Sequence, residues 1–388
     1  MNILFVANCA SMYGANTSMV QLIAQLKRDD INVYVWLPTD GQVTKELRKL
    51  KCKYRIIGEY TAAHESGLIS KGQRARNLLN NILYIKRNLK LVSDWNIDII
   101  HTNSAIDSIG GLLSLYTGIP HVWHIREMMR DDYCLEYDFP KLNYYLLKRS
   151  NKVIFISKAV KNQWKSVSLN RNSCVIHNGF DLERYIIYKD LKKKELTRLI
   201  LAGFISPQKG QMDAVRAIKY LVNHKIKSVR LSIVGDGDKL YVQGIKKYIQ
   251  QHGLDTYIEI LPFQNDLNTI RRESDIALMC SRKEALGRVT IESMAGQLLV
   301  IGTNSGGTKE LIEDGHTGYL YESGDWRQLA DKIVTAINDW DKTQKMILSA
   351  QKEVINKFAV DKYATQIERI YDELMGKDKY GDRYKAKT

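Results

Sequence analysis

Short apolar, β-branched runs alternate with longer segments of helical periodicity along nearly the whole chain, and this alternation limits the fold more than any other feature. Twelve runs read as strands: NILFVA (2–7), NVYVWL (32–37), YRIIG (54–58), DIIHT (98–102), HVWHI (121–125), KVIFIS (152–157), CVIHNG (174–179), RLILAG (198–203), RLSIVG (230–235), YIEILP (257–262), IALMC (276–280) and LLVIGT (298–303). Between most of them lie stretches such as SMVQLIAQLKRD and DAVRAIKYLVN, with apolar residues at helical spacing. Near-continuous apolar strands separated by helices make parallel sheets covered on both faces. Twelve strands exceed one ordinary doubly wound sheet, so the pattern predicts an α/β protein of two Rossmann-like domains. The alternation breaks inside the charged stretch HNGFDLERYIIYKDLKKKELT and restarts at RLILAG. This predicts a first domain over 1–180, a linker over 181–197 and a second domain over 198–362. From Trp340 to Met375 the pattern is helical, and the tail GKDKYGDRYKAKT is charged and expected to fray.

The 388 residues suffice for two domains with separate cores. Apolar residues make up 44% and charged residues 26%, as in soluble globular proteins. No apolar run reaches the ~18 residues of a membrane span. The start, MNILFVANCA, has no basic n-region and reads as a first strand. The five cysteines are scattered without CxxC spacing, which predicts reduced thiols in a cytoplasmic protein, with no zinc site and no disulfide framework.

The formal charge is +15, and residues 66–93 carry six basic side chains and no acidic one. From Arg76 to Val92 apolar residues recur at near-helical spacing, so a basic amphipathic helix could rest on an anionic membrane surface. The alternative is a solvated helix face over an ordinary core. Nucleic acid would suit the charge, but no zinc finger, RNP-like aromatic motif or helix-turn-helix accompanies it.

Several strand exits could hold an anion. The first βα loop, NCASMYGANTSM, places Gly14 beside a helix start, although it is not a G-x-G-x-x-G fingerprint and could be an ordinary turn glycine. LILAGFISPQKGQMD puts Lys209 and Gly210 just before a helix, where a lysine adds its charge to free N–H groups; an exposed surface lysine is the alternative. SIVGDGD (232–238) is a glycine-rich exit at the same edge. After the strand IALMC comes SRKEALGRVTIESMAG, with Glu284 in the exit loop and Glu292 in the next helix. Gly287 lets the backbone of Gly287, Arg288 and Val289 approach a phosphate. Glu292 can accept two hydrogen bonds from a vicinal diol such as a ribose, while Glu284 lies nearer the sugar end of the same ligand. A capping glutamate and an incidental surface glutamate are the alternative. Further on, Ser305-Gly306-Gly307 makes another anion-friendly nest.

Glu284-x7-Glu292 followed by N-S-G-G-x-x-E-L-I-x-D-G-x-T-G-x-L resembles the retaining glycosyltransferases of family 4, which have the GT-B fold. G-F-x-S-P-Q-K-G-Q at 203–211 resembles the family's diphosphate loop, and I-V-G-D-G at 233–237 its next glycine turn. V-I-H-N-G-F-D at 175–181 and F-I-S-K-A-V at 155–160 continue the similarity upstream, so it spans nearly the whole chain.

The resemblance implies two Rossmann-like domains facing each other across a cleft, with a C-terminal helix at about 363–378 packing back on the amino-terminal, acceptor-binding domain. It implies that Glu292 binds the donor ribose, that Lys209 and the amides of Gly287–Val289 bind the diphosphate, and that Glu284 contacts the donor sugar. His124 of HVWHIREM would face the reaction centre and contact sugar or acceptor, with His101 as the weaker alternative. Gly14 would belong to the donor-binding set. Where relatives commonly have Gly-Arg, this chain has Gly203-Phe204, so either Arg288 or another side chain supplies the missing charge or the donor is held differently.

The expected activity is transfer of a sugar from a nucleotide-sugar, UDP preferred, with retention, no cofactor and no metal. The expected acceptor is a glycan, lipid-linked given the basic segment, in capsule, exopolysaccharide or similar surface polysaccharide synthesis at the inner membrane face. A nucleotide-sugar epimerase and a non-catalytic sugar-binding subunit are the competing readings.

Overall fold

The computed structural model describes residues 1–26, 30–65, 67–129, 134–164 and 172–376. Ser66 and the charged tail after Gly376, both named above, lie outside this set, as do residues 27–29 of the first helical stretch. The chain forms two compact units that divide at Phe180/Asp181 and again at Ala359/Val360.

In the first unit the elements run β1 (Asn2–Val6), α1 (Gly14–Gln25), β2 (Asn32–Leu37), α2 (Gln42–Lys49), β3 (Lys53–Ile56), β4 (Ala63–Glu65), α3 (Lys71–Asp94), β5 (Ile99–Thr102) and α4 (Ile109–Thr117). They continue with β6 (His121–Ile125), β7 (Leu135–Tyr137), α5 (Pro140–Arg149), β8 (Lys152–Phe155), α6 (Lys158–Gln163) and β9 (Ser173–Val175). Seven strands form one parallel sheet in the order β3-β2-β1-β5-β6-β8-β9. Its two faces feed separate cores, one with Phe5, Val35 and Val122 and the other with Leu4, Trp36 and Ile100. Alternation along each strand produces this division. Strands β4 and β7 pair antiparallel outside the sheet. The sequence reading missed both, because three-residue segments such as AHE and LEY offer no apolar run.

The second unit runs β10 (Thr197–Ala202), α7 (Gln211–Asn223), β11 (Val229–Val234), α8 (Lys239–Gln251), β12 (Ile258–Leu261), α9 (Asn268–Glu273), β13 (Ile276–Met279) and α10 (Arg288–Ala295). It ends with β14 (Leu299–Thr303), α11 (Thr308–Leu311), β15 (Tyr319–Tyr321), α12 (Trp326–Asn338) and α13 (Trp340–Phe358). Its sheet is parallel, in the order β12-β11-β10-β13-β14-β15. Strand β15, at the edge, is not among the twelve runs named above.

The stretch 181–197 is a correction to the expected linker, since it belongs to the second unit. Ile187 is buried, and the Lys189 ammonium donates to the carbonyl oxygens of Arg271 and Ser274. Lys194 pairs with Asp275 at 2.8 Å. The C-terminal helical stretch is also not continuous. It breaks at Ala359, in an extended conformation, and resumes as α14 (Val360–Leu374), which packs on α1 of the first unit. There Ile367 and Tyr371 join the core of Met19 and Leu22.

Candidate active site

Strands β10 and β13 are neighbours, and the chain proceeds outward from them in opposite directions. Such a reversal parts the loops at the C-terminal strand edge, where open α/β sheets take ligands. Lys209 ends a short 3-10 turn after β10, and Glu284 lies in the loop after β13. The Lys209 ammonium donates to Glu284 Oε1 at 2.6 Å, and Ser281 Oγ donates to the same oxygen at 2.6 Å. The two loops that sequence singled out therefore meet. A third loop closes on them. Gly306 has φ +54°, and a Cβ there would stand 2.6 Å from the Glu284 nitrogen, so glycine is required for this approach. The Gly307 N–H donates to the Glu284 carbonyl at 2.6 Å.

Gly287, with φ +98°, opens α10, whose first turn carries Arg288 and Val289. The leading N–H groups of a helix have no acceptor inside it and favour an anion. One turn on, Glu292 is held from two sides. Arg271, buried on α9, donates to Oε2 at 2.5 Å, and Arg288 donates to Oε1 at 3.3 Å. The i,i+4 spacing places the Arg288 guanidinium there, beside Glu292 on one helix face. In this arrangement Arg288 helps to secure the carboxylate. Phe204 is exposed, and its carbonyl accepts from Gln211 Nε2 at 3.0 Å. Arg271 lies over the Tyr185 ring, 5.5 Å from its centroid, and burial raises the Tyr185 hydroxyl pKa.

In the first unit the corresponding reversal falls between β1 and β5. Gly14 is exposed as the first residue of α1, and no side chain caps that helix. It is not among the left-handed glycines, so its backbone conformation is open to other residues. The His124 ring is fully buried, and its Nε2 has no hydrogen-bond partner among the described residues. Nδ1 lies 3.3 Å from His101 Nε2 and 3.5 Å from Arg126, and the ring faces Tyr363 of α14. His124 shares with Val122 the face of β6 that α14 covers, and both faces of this strand are buried. Burial, then the Arg126 charge, then His101 lower the His124 pKa well below the usual histidine range. His101 is equally enclosed, with Nδ1 2.6 Å from the Tyr371 hydroxyl.

The residue that sequence reasoning passed over is Arg126, two positions after His124 and just beyond the strand end. Its guanidinium donates to the side-chain oxygens of Asn103 and Asn178 and to the Tyr363 hydroxyl. Among the described residues no carboxylate pairs with it. Counting two residues on along the face from His124 was the signal available for finding it.

Each unit has a cavity. One of about 380 Å³ opens at the N-terminal strand ends of the second sheet, beside Arg198, Arg230 and Tyr257, away from the loops above. The other, about 720 Å³, belongs to the first unit. Among the described residues no cluster of three or more His, Cys, Asp or Glu is placed to hold a metal, and no helix is long and apolar enough to cross a membrane.

Two family models match the chain in succession, Glycosyltransferase Family 4 over residues 12–184 and Glycosyl transferases group 1 over residues 186–353. The chain belongs to the family 4 glycosyltransferases of GT-B fold. The glycosyltransferase is 27% identical to N-acetyl-alpha-D-glucosaminyl L-malate synthase of Bacillus anthracis, over 74% of this chain and 77% of that one. It is 25% identical to the UDP-Gal:alpha-D-GlcNAc-diphosphoundecaprenol alpha-1,3-galactosyltransferase of Escherichia coli, over 77% of this chain and 82% of that one. The solved structure of Anabaena HepE in complex with UDP shares its fold, with a TM-score of 0.79 at 23% identity over 96% of this chain and 100% of that one.

Proposed function

We propose that this glycosyltransferase moves a sugar from a UDP-sugar to a lipid-linked glycan, with retention of anomeric configuration and without a metal, in the assembly of a cell-surface polysaccharide. The observation that carries the donor reading is the 2.6 Å contact between Lys209 and Glu284 at the strand reversal of the second sheet. A diphosphate arriving there competes for the Lys209 ammonium and frees Glu284 to accept hydrogen bonds from the donor sugar. The amides of Gly287–Val289 take the remaining phosphate charge. Glu292, already immobilised by two guanidinium groups, is positioned to accept from the ribose diol. Preorganised donors of this kind stabilise charge on a leaving group by roughly 3–4 kcal/mol each. As the bond between the anomeric carbon and the phosphate oxygen breaks, the acceptor oxygen bonds to that carbon on the same face. Its proton passes to the departing phosphate.

Uridine is favoured by two relatives, the Escherichia coli enzyme whose name specifies UDP-Gal and the HepE structure that contains UDP. The lipid-linked acceptor is supported by that enzyme's diphosphoundecaprenol substrate and by α3. Leu79 and Leu83 are exposed on α3 together with Arg76, Lys86, Arg87 and Lys90, a pairing suited to an anionic inner membrane face.

Thermal unfolding with UDP, GDP and ADP tests the donor site. Ligand at 100 times its dissociation constant should stabilise by about 2.7 kcal/mol. A shift with UDP that disappears in Glu292→Ala is the expected result. No shift with any nucleotide would overturn the reading.

A further inference from the structure

The 720 Å³ cavity of the first unit lies over the C-terminal ends of β1, β2 and β3, to one side of the β1/β5 reversal. Asn8, Thr39 and Glu59 enter it from the loops after β1, β2 and β3, while α3 supplies Arg76, Asn80 and Tyr84 as the opposite wall. Asn81 on the buried side of the helix fixes this wall by donating to the Thr61 carbonyl at 3.1 Å. Tyr84 is set by a glycine. Gly58 has φ +114°, and a Cβ there would enter the Tyr84 ring at 2.6 Å.

Gln73 Nε2 donates to Asn77 Oδ1 at 2.9 Å within the lining, whereas Asn8, Asn80 and Tyr84 are not engaged with one another. The Asn8 and Asn80 carboxamides and the Tyr84 hydroxyl form no hydrogen bond with a described residue, and Asn8 Oδ1 is buried. A buried amide oxygen without a partner carries a desolvation cost that a ligand donor removes. Carboxamides donate and accept at once, as vicinal hydroxyls do, and aromatic rings offer a flat face to a ring's C–H groups. The lining holds one guanidinium and one carboxylate, so no cluster of cations awaits a phosphate. The volume falls within the ~300–1,000 Å³ of ligand pockets.

We infer that this cavity binds the sugar portion of the acceptor as an uncharged polyhydroxyl ligand, with Asn8 and Asn80 reading its hydroxyls and Tyr84 supporting a ring face. The inference rests on the reading of the protein as a sugar transferase, and it names the chemistry that selects the acceptor. Because the cavity stands beside the β1/β5 reversal, it acts on acceptor selection and leaves donor activation to the second unit.

The test is saturation-transfer NMR on the full chain with methyl glycosides of glucose, galactose, mannose and N-acetylglucosamine, without nucleotide. At least one glycoside should give ring-proton signals, and Asn80→Ala or Asn8→Ala should weaken binding roughly fivefold to tenfold. Thr39→Ala, at the exposed rim, serves where Asn8→Ala lowers the melting temperature. The UDP-induced melting shift should be unchanged in all three. If no glycoside gives a signal, or if binding ignores these substitutions, the inference fails while an intact UDP shift leaves the donor reading standing. A melting shift with inorganic pyrophosphate that needs Arg76 would make the occupant a phosphate and overturn it as well.

Discussion

Lys209 and Glu284 are both partly open to solvent, so their contact contributes little to stability, about 0–1 kcal/mol for pairs of this kind. Its value is positional. Lys209→Ala should leave the melting temperature nearly unchanged and lower kcat by roughly 10²–10³-fold, the scale set by losing one charge-stabilising donor. A loss confined to acceptor KM would remove Lys209 from the donor site. At this scale the spacing of Glu284, Gly287 and Glu292 was legible because a strand exit followed by a helix start fixes backbone geometry within a few residues. The fate of His124 was not. Both parities of β6 are buried, and the cover over His124 comes from Tyr363 on α14, far along the chain. The Arg288 contact was not legible either, because whether a guanidinium reaches outward or back along its helix depends on the carboxylate one turn away.

Among elements, α3 departs furthest from what its apolar spacing suggests. Its buried positions are Asn81, Ile85 and Val92, while Leu79 and Leu83 remain outside. An amphipathic pattern alone would have turned the leucines inward. Replacing Lys86, Arg87 and Lys90 together with Glu should abolish sedimentation with anionic vesicles, and added salt should weaken wild-type binding in the same assay. Binding that ignores both salt and the substitutions would exclude a membrane role for this helix. The long parallel strands were legible because each is a continuous apolar run, whereas β15 was hidden by the turn glycines on either side of Tyr319–Tyr321.

Across the molecule, all three fully buried histidines, His101, His121 and His124, fall in the first unit, and burial lowers the pKa of each. His121 is brought down to about 3 from an ordinary value of 6.5. A depressed folded value means that the unfolded chain takes up the proton first. The histidine contribution is therefore complete above about pH 6.5 and is lost as pH falls through the window below. Asp107 and Glu127, whose pKa burial raises, act with the opposite sign above the ordinary carboxyl range. His121→Asn should flatten the acid side of the denaturation profile by up to about 1.4 kcal/mol per pH unit, and Asp107→Asn should remove a loss of stability toward neutral pH. Hydrogen exchange at β5 and β6 amides across that range reads both effects, and an unaltered slope in His121→Asn would show that the ring does not titrate on unfolding.

The first unit also has an order of construction written into its chain. The helix that covers His101 with Tyr371 and His124 with Tyr363 leaves the ribosome only after the entire second unit. Until α14 arrives, the nascent amino-terminal sheet has one face unsealed, with a row of imidazoles open to water. The second unit, continuous from Asp181 to Ala359, needs no such completion and can reach its native state during synthesis. The first sheet is thus made before the second unit and completed after it, and a stop codon placed just before Val360 would strand it unfinished while sparing the second unit.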